Sequence, residues 1–307
     1  MVNNNNPTLQ LKKALQKFTK KYFGVTWQNR LFHLLNYIFF IALALVMFYP
    51  FYYVLSTSLT VHNIQSGTPI TRFSFESYRT ILANSGLIRS FLLTIGVVLV
   101  FVPIHVLMTM AAAYALRDKK LKGRTFFIFF IIFTMLFSGG LIPYYILIRD
   151  LGLRDNLLVY ILVGLVSPFS IIVAKNFVQS IPESIFDSAK IDGAGDFYIL
   201  FKIVFPLSKP IIATISLWAG VAKWNDWMTG VLYMQNSKDK WLIQNFLRNI
   251  LLTANSSGQG VVDPNIMTMA EGVRMAAIVI SVIPIIIIYP WIQKHFVKGI
   301  LLGSVKG

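Results

Sequence analysis

Long apolar stretches separated by shorter polar segments run through the chain. Six of them are long enough to cross a bilayer, because a membrane span needs roughly 20 mostly apolar residues. They cover residues 32–56, 87–116, 125–148, 156–178, 208–233 and 275–293. The pattern therefore predicts an all-α membrane protein with six transmembrane helices.

Composition indicates that lipid surrounds most of this chain. Of the 307 residues, 56% are hydrophobic and 13% are charged, whereas soluble domains have about 45–50% apolar and about 25% charged residues. In a soluble protein the net charge of +16 would suggest nucleic acid as a partner. Here the basic residues lie between apolar stretches, and the topology of a membrane protein explains them better. We therefore expect the bilayer, and no nucleic acid, as a partner.

The orientation follows from these basic residues. With the N-terminus inside the cell, the inner segments carry about twice as many lysines and arginines as the outer ones, as cytoplasmic loops do. The bias is strongest in RDKKLKGR, residues 117–124. Both termini are therefore predicted to be cytoplasmic. The predicted domains are an N-terminal tail at 1–31, a six-span domain at 32–293 and a C-terminal tail at 294–307.

A basic amphipathic segment lies within the N-terminal tail. Its sequence, LKKALQKFTKKYF, places apolar residues at helical spacing with lysines between them. Such a helix is expected to lie on the anionic inner leaflet. Binding of another protein is the alternative.

The polar segment between the fourth and fifth spans predicts two short helices. Pro182 and Glu183 mark a helix start, because proline suits the first helical position and an acid suits the first turn. Residues 192–195, DGAG, interrupt the helix, since glycine permits tight-turn geometry. A second amphipathic helix follows before Pro206. Such a helix–turn–helix is either a docking surface at the cytoplasmic face or a plain interfacial loop.

This segment resembles the EAA loop of binding-protein-dependent ABC importer permeases. The loop pattern is E-A-A, three residues, G, nine residues, I-x-L-P, and residues 187–206 keep its Gly and Pro spacing. In the family the loop forms a coupling helix seated in a groove of the ATP-hydrolysing subunit. The resemblance implies an EAA loop at 182–206. The residues it implies for coupling are Asp187, Ser188, Ala189, Asp192, Gly193, Ala194, Ile203 and Pro206.

The resemblance extends over most of the chain and implies the type I ABC importer permease fold. FSGGLIP, PLSKPIIATI, WNDW and the ending FVKGILLGSVKG are similar to the carbohydrate class. Within it they are similar to the MalG-like permeases and to the LplC/YtcP branch common in Gram-positive bacteria. The final residues are expected either to reach the ATPase subunits or to lie on the membrane.

The implied function is that of a permease subunit of an ATP-driven importer for a sugar or oligosaccharide in the plasma membrane. The implied partners are a second permease in a heterodimer, two ATP-binding subunits and an extracellular sugar-binding lipoprotein. No G-x-x-x-x-G-K-[ST] motif is present, so ATP and Mg²⁺ are expected in the partner subunits and no cofactor in this chain.

Four residues near the end of the fifth span are candidates for the substrate path: Trp224, Asn225, Asp226 and Trp227. Aromatic rings and hydrogen-bonding groups suit sugar recognition, and ionisable residues within a membrane point to function. Tryptophan is also common at membrane interfaces, and Asp226 could simply pair with Lys223.

Two other classes of function remain as alternatives. A stand-alone secondary transporter or channel for a small polar solute would show inverted repeats or a row of midplane charges, and neither is apparent. A membrane enzyme would need a catalytic motif such as H-E-x-x-H or G-x-S-x-G, and none occurs. No histidine pair has the spacing of a metal site, so we expect no metal.

Overall fold

The computed structural model describes residues 27–65, 68–256 and 271–290. The predicted basic segment at 11–23 and the tail at 294–307 lie outside these ranges, so the predictions about them stay untested. The chain divides between Ser56 and Thr57 into two units.

The first helix, α1 (Trp27–Ser58), carries the first predicted span. From Leu31 onward it has a mean hydropathy of 2.3, and large apolar side chains such as Phe39 and Phe48 are exposed. A helix that is apolar all round belongs in a protein core or in a membrane. This helix therefore has the surface of a membrane span.

After α1, an antiparallel hairpin lies between the first two predicted spans, where the apolar pattern predicts no membrane helix. Strands β1 (Thr60–Gln65) and β2 (Thr68–Phe73) pair with Thr60 opposite Phe73. Both strands are rich in threonine, valine and isoleucine, which favour extended backbone. Within the described residues the rest of the secondary structure is helical.

Thirteen helices are described in all. The remaining twelve are α2 (Glu76–Leu82), α3 (Ser85–Arg117), α4 (Arg124–Leu136), α5 (Leu141–Asp150), α6 (Leu158–Leu162), α7 (Pro168–Gln179), α8 (Glu183–Ile191), α9 (Asp196–Leu207), α10 (Lys209–Trp224), α11 (Met228–Tyr233), α12 (Ile243–Ser256) and α13 (Glu271–Pro290). A short 3₁₀ turn (Lys238–Lys240) precedes α12.

Helix α3 is the central element of the second unit. It begins at Asn84, whose side chain accepts hydrogen bonds from the amides of Gly86 and Leu87, as an N-cap does. It packs against α7 and α10. Three buried apolar clusters lie along it, around Met110, around Val97 and around Leu87. The second predicted span is therefore a single long helix.

The third, fourth and fifth predicted spans are each interrupted. Helices α4 and α5 meet at 110°, where Gly140 has φ +87°. Helices α6 and α7 are separated by residues 163–167, in which Gly164 has φ +77°. The fifth span breaks at 225–227, and α9 meets α10 at 85°. At Gly140 and Gly164, glycine in the left-handed region ends a helix without steric cost, which apolar content alone does not reveal.

Membrane crossing can be judged only for the described helices. Three are long and apolar enough to cross a membrane, and up to five spans result if each bent pair counts as one. The predicted total of six spans and the domain limits at 31 and 293 stay predictions.

On the predicted outer side, Asp155 joins the loop before α6 to the segment after α11. Its carboxylate accepts hydrogen bonds from the backbone and side-chain amides of Asn236 and from the backbone of Ser237. Desolvation raises the pKa of Asp155, but these hydrogen bonds and the charge of Arg154 outweigh it, so the pKa lies below its ordinary value. A carboxylate with a lowered pKa stabilises the fold at pH values above its unfolded-state pKa. This stabilisation is lost as the pH falls through its folded-state pKa. The connection therefore persists at neutral pH.

Gly230 in α11 offers a test of packing at the break in the fifth span. A Cβ at this position would overlap the side-chain amide of Asn245, which is buried and donates to the carbonyl of Trp227 at 2.6 Å. We expect Gly230→Ala to lower the free energy of unfolding by about 1–3 kcal/mol, the usual cost of overpacking. Thermal unfolding of the purified protein measures this.

Gly96→Ala in α3 is the matched control, because nothing lies within 4 Å of its added Cβ. Alanine is the better helix former by about 1 kcal/mol, so this variant should unfold no earlier than the wild type. Equal effects of the two substitutions would contradict the packing argument.

Candidate functional site

The coupling segment, residues 182–206, is a helix–turn–helix. Helix α8 has Pro182 as its N-cap residue and Glu183 in its first turn. Its end is closed by two hydrogen bonds, from the amide of Gly193 to the carbonyl of Lys190 and from that of Ala194 to Ala189. This pair of bonds is a Schellman motif, which needs a left-handed residue, and Gly193 has φ +79°. The turn therefore requires the glycine that the sequence pattern singled out.

The second helix of the segment, α9, contains a π-helical turn (Leu200–Val204). Pro206 follows within two residues, has no N–H to donate and crowds the carbonyl four residues earlier. We attribute the wider turn to this constraint. The helix then ends at Leu207, and the chain bends into α10.

One face of the coupling segment belongs to the protein core. Phe186, Ala189, Ile199 and Val204 are buried in the same cluster as Met110 of α3. Of the other residues predicted for coupling, Ala194 and Ile203 are half-buried, while Asp187, Ser188, Asp192, Gly193 and Pro206 are exposed. A role of these residues in coupling stays a prediction.

The opposite face carries two unusually exposed apolar side chains. Ile191 is 86% exposed and Phe197 is 80% exposed, and they flank the turn at Gly193. Exposed apolar groups clustered on a polar surface mark interaction sites. Because no residue that the structure describes covers them, this face is suited to receive another protein.

A cavity of about 610 Å³ lies between α3, α7 and α10. Residues 163–167, the break between α6 and α7, form part of its wall. Irregular backbone at membrane depth is tolerated where it is buried in protein or lines a water-filled space. Small apolar residues line part of it, and the larger or polar lining side chains are Phe101, His105, Ser167, Phe169, Ser170, Trp218, Lys223, Asp226 and Thr229.

An ion pair lies in the wall of this cavity. The ammonium of Lys223 is 3.0 Å from a carboxylate oxygen of Asp226, and the two side chains are 6% and 14% exposed. Lys223 also donates to the carbonyl of Val163 at the end of α6 and lies over the ring of Phe101. The second oxygen of Asp226 accepts from the backbone of Thr229. The pair therefore connects the breaks of the fourth and fifth predicted spans.

The structure separates the four predicted substrate-path residues. Asp226 lines the cavity. Trp224 is buried and donates its indole N–H to the carbonyl of Ser281. The side-chain amide of Gln244 donates a hydrogen bond to the side-chain oxygen of Asn225. The guanidinium of Arg248 lies 4.0 Å from the ring centre of Trp227. Contact of any of the four with substrate stays a prediction.

Sequence analysis missed several cavity residues. Phe169 and Trp218 pair with ring centres 5.3 Å apart. Ser167 accepts from the amide of Ser170 and caps α7, whose first residue is Pro168. A Ser-Pro pair inside an apolar stretch was the available signal. Trp218 had none, because it comes from a different helix and meets Phe169 only in the fold.

Comparison with known proteins identifies the family. Residues 80–302 match the family described as binding-protein-dependent transport system inner membrane component. The polygalacturonan/rhamnogalacturonan transport system permease protein YtcP of Bacillus subtilis is 41% identical, over 91% of this chain and 100% of its own length. Protein LplC of the same organism is 34% identical, over 92% and 97% respectively.

A solved structure agrees with these relatives. A chain from the crystal structure of a bacterial ABC transporter involved in the import of the acidic polysaccharide alginate superposes with a TM-score of 0.79 and 30% identity. The match covers 88% of this chain and 98% of that one. With the family match spanning most of the sequence, the protein belongs to the binding-protein-dependent transport system inner membrane components and is a permease of an ABC importer, not an enzyme.

Proposed function

We propose that this chain imports an oligosaccharide by alternating access, driven through the coupling segment. The observation that carries the proposal is the two-faced geometry of that segment. Its inner face is packed into the core that holds α3 and α10, and its outer face presents Ile191 and Phe197. A partner that grips the outer face would therefore move the helices around the cavity.

The partners follow from this geometry and from the family. Two ATP-binding subunits, which hold ATP and Mg²⁺, would dock on this chain and on a second permease, the two permeases forming a heterodimer. Closure of the ATPases would draw the coupling segments together and open the cavity outward to a sugar-binding lipoprotein. We infer from the basic inner loops that both termini lie in the cytoplasm, and the Bacillus relatives favour a Gram-positive cell.

An acidic oligosaccharide is the substrate class that we propose. The relative YtcP is named for the transport of polygalacturonan/rhamnogalacturonan. The similar solved structure is described as a transporter involved in the import of the acidic polysaccharide alginate. The cavity combines the rings of Phe169 and Trp218 with hydroxyls and Lys223, a set that suits sugar rings and a carboxylate. Uptake of labelled oligogalacturonides, with neutral oligosaccharides as competitors, tests this class.

The docking face can be tested directly because the chain contains no cysteine. We expect a thiol-linked benzophenone at Ile191→Cys or Phe197→Cys to crosslink to the ATP-binding subunit on illumination in native membranes. Mass spectrometry of the crosslinked band identifies the partner.

Phe75→Cys is the control for this crosslinking. Phe75 is also an exposed aromatic side chain but lies in the predicted outer segment. Crosslinking to the ATP-binding subunit from Phe75 and not from Ile191 would refute the proposed docking face.

A further inference from the structure

The cytoplasmic end of α3 contacts both helices of the coupling segment. Arg117, the last residue of α3, places its guanidinium carbon 3.3 Å from the ring centre of Phe186 in α8. One turn earlier, the hydroxyl of Tyr114 donates to a carboxylate oxygen of Asp196 in α9 at 2.9 Å. A single helix end therefore holds both halves of the helix–turn–helix.

The contact of Arg117 is buried and specific. Arg117 is 7% exposed and Phe186 is 1% exposed, so the cation–ring contact is shielded from water. Such contacts are stronger when they are desolvated. Glu183 approaches at 4.0 Å but is 75% exposed, and an exposed ion pair contributes little. Within the described residues the Nε of Arg117 has no hydrogen-bond partner. The ring centre of Tyr114 lies 5.4 Å from the guanidinium carbon, so the ring of Phe186 is the nearer of the two rings beside this buried charge.

The same helix leads to the cavity. His105 lies twelve residues before Arg117 in α3, about 18 Å along the helix at 1.5 Å per residue, and lines the cavity. The ring Nδ1 of His105 donates to the carbonyl of Leu165 in the break before α7. Between His105 and Arg117, α3 is held by the buried residues Val106, Met110 and Ala113. Helix α3 therefore connects the coupling segment to the broken backbone of the cavity wall.

We propose that Arg117 is a positioning residue that fixes the coupling segment to α3, so that movement imposed on the segment reaches the cavity. This inference rests on the proposed function. Without the Arg117–Phe186 contact, the segment still docks on the ATPase and keeps its apolar packing and the Tyr114–Asp196 hydrogen bond, but α8 follows the end of α3 less closely. Hydrolysis then continues while the cavity responds to it more weakly.

Accessibility of the cavity measures this response without knowledge of the substrate. Ala222 lines the cavity and is exposed to it, and Ala222→Cys would be the sole cysteine of this chain. In the assembled importer, we expect its rate of modification by a membrane-impermeant methanethiosulfonate to change with ATP and vanadate by about fivefold or more, the lower range of coupling between sites.

In Arg117→Met we expect the modification rate at Ala222→Cys to change by less than about twofold with ATP and vanadate. ATP hydrolysis should stay within about twofold of wild type, so that the ATPase and the cavity are no longer coupled. Arg117→Lys, which keeps a cation over the ring, should recover part of the response. Arg124→Met is the matched control, because Arg124 lies near the same helix end but donates to the carbonyl of Leu116 and not to the coupling segment. It should respond like wild type.

The outcomes separate the two proposals. A nucleotide response in Arg117→Met equal to that of wild type, or a parallel loss of hydrolysis and response, would overturn the role of Arg117. If Arg117→Met fails to assemble, Phe186→Leu, which keeps an apolar side chain in the same pocket, decides by the same criteria. Absence of any nucleotide response in the wild-type importer would instead refute the proposed function itself.

Discussion

Replacing Gly193 by arginine should reduce uptake by more than about tenfold, while the helices of this chain remain folded. The substitution adds a long charged side chain between Ile191 and Phe197, on the face that we propose as the ATPase dock. Among the described residues nothing lies within 4 Å of a Cβ at this position, so the side chain has room to extend from the proposed docking face. A charge forced into a docking surface is strongly unfavourable. Uptake and ATP hydrolysis by the reconstituted importer are the measurements.

Gly193→Asn controls for the backbone. At φ +79° any residue with a Cβ incurs strain of roughly 1–2 kcal/mol, and asparagine incurs the least. We therefore expect Gly193→Asn to keep most of the uptake and Gly193→Arg to lose it. Equal loss in both variants would mean that backbone strain, and not the docking face, explains the effect.

The second large effect is expected at the ion pair in the cavity wall. Lys223→Met leaves Asp226 buried without its cation, and breaking a buried pair in this way costs about 3–5 kcal/mol. The double variant Lys223→Met with Asp226→Asn removes both charges, and the asparagine oxygen can still accept from Thr229. We expect the double variant to unfold within about 1 kcal/mol of wild type, since replacing a whole buried pair is often neutral.

Thermal unfolding of the wild type, the single and the double variants in nanodiscs measures this coupling. A double variant as unstable as Lys223→Met alone would contradict it. Uptake by the double variant then shows whether the cavity needs the charges themselves. Loss of uptake in a stable double variant is the result expected for an acidic substrate.

The coupling segment shows how far local chemistry determines structure. Pro182 and Glu183 predict the start of α8, and Gly193 predicts its end, because a proline start and a left-handed glycine act through the backbone of a few neighbouring residues. The long α3 was predictable for a similar reason, since its whole length is apolar and begins at a good N-cap. The hairpin was missed, because β-branched residues between two long apolar stretches were treated as a loop.

The cavity could not be predicted in the same way. Phe169 and Trp218 lie on two helices that are far apart in sequence, and the four helices α4 to α7 separate Arg117 from Phe186 along the chain. Each of these residues alone is an ordinary aromatic or basic side chain. Their contacts depend on how α3, α7, α8 and α10 pack together, which apolar content does not specify.

The sequence by itself determined that this protein is a helical membrane protein, and its EAA-like pattern indicated the permease family. The hydropathy of each stretch and the number of basic residues in each loop can be counted along the sequence, so they need no tertiary information. Only the tertiary structure decided that three of the predicted spans break, that Asp226 lines the cavity while Trp224 is buried elsewhere, and that Arg117 contacts Phe186 in the coupling segment. These outcomes depend on how helices pack, because a broken helix can satisfy its backbone only through neighbours distant in sequence.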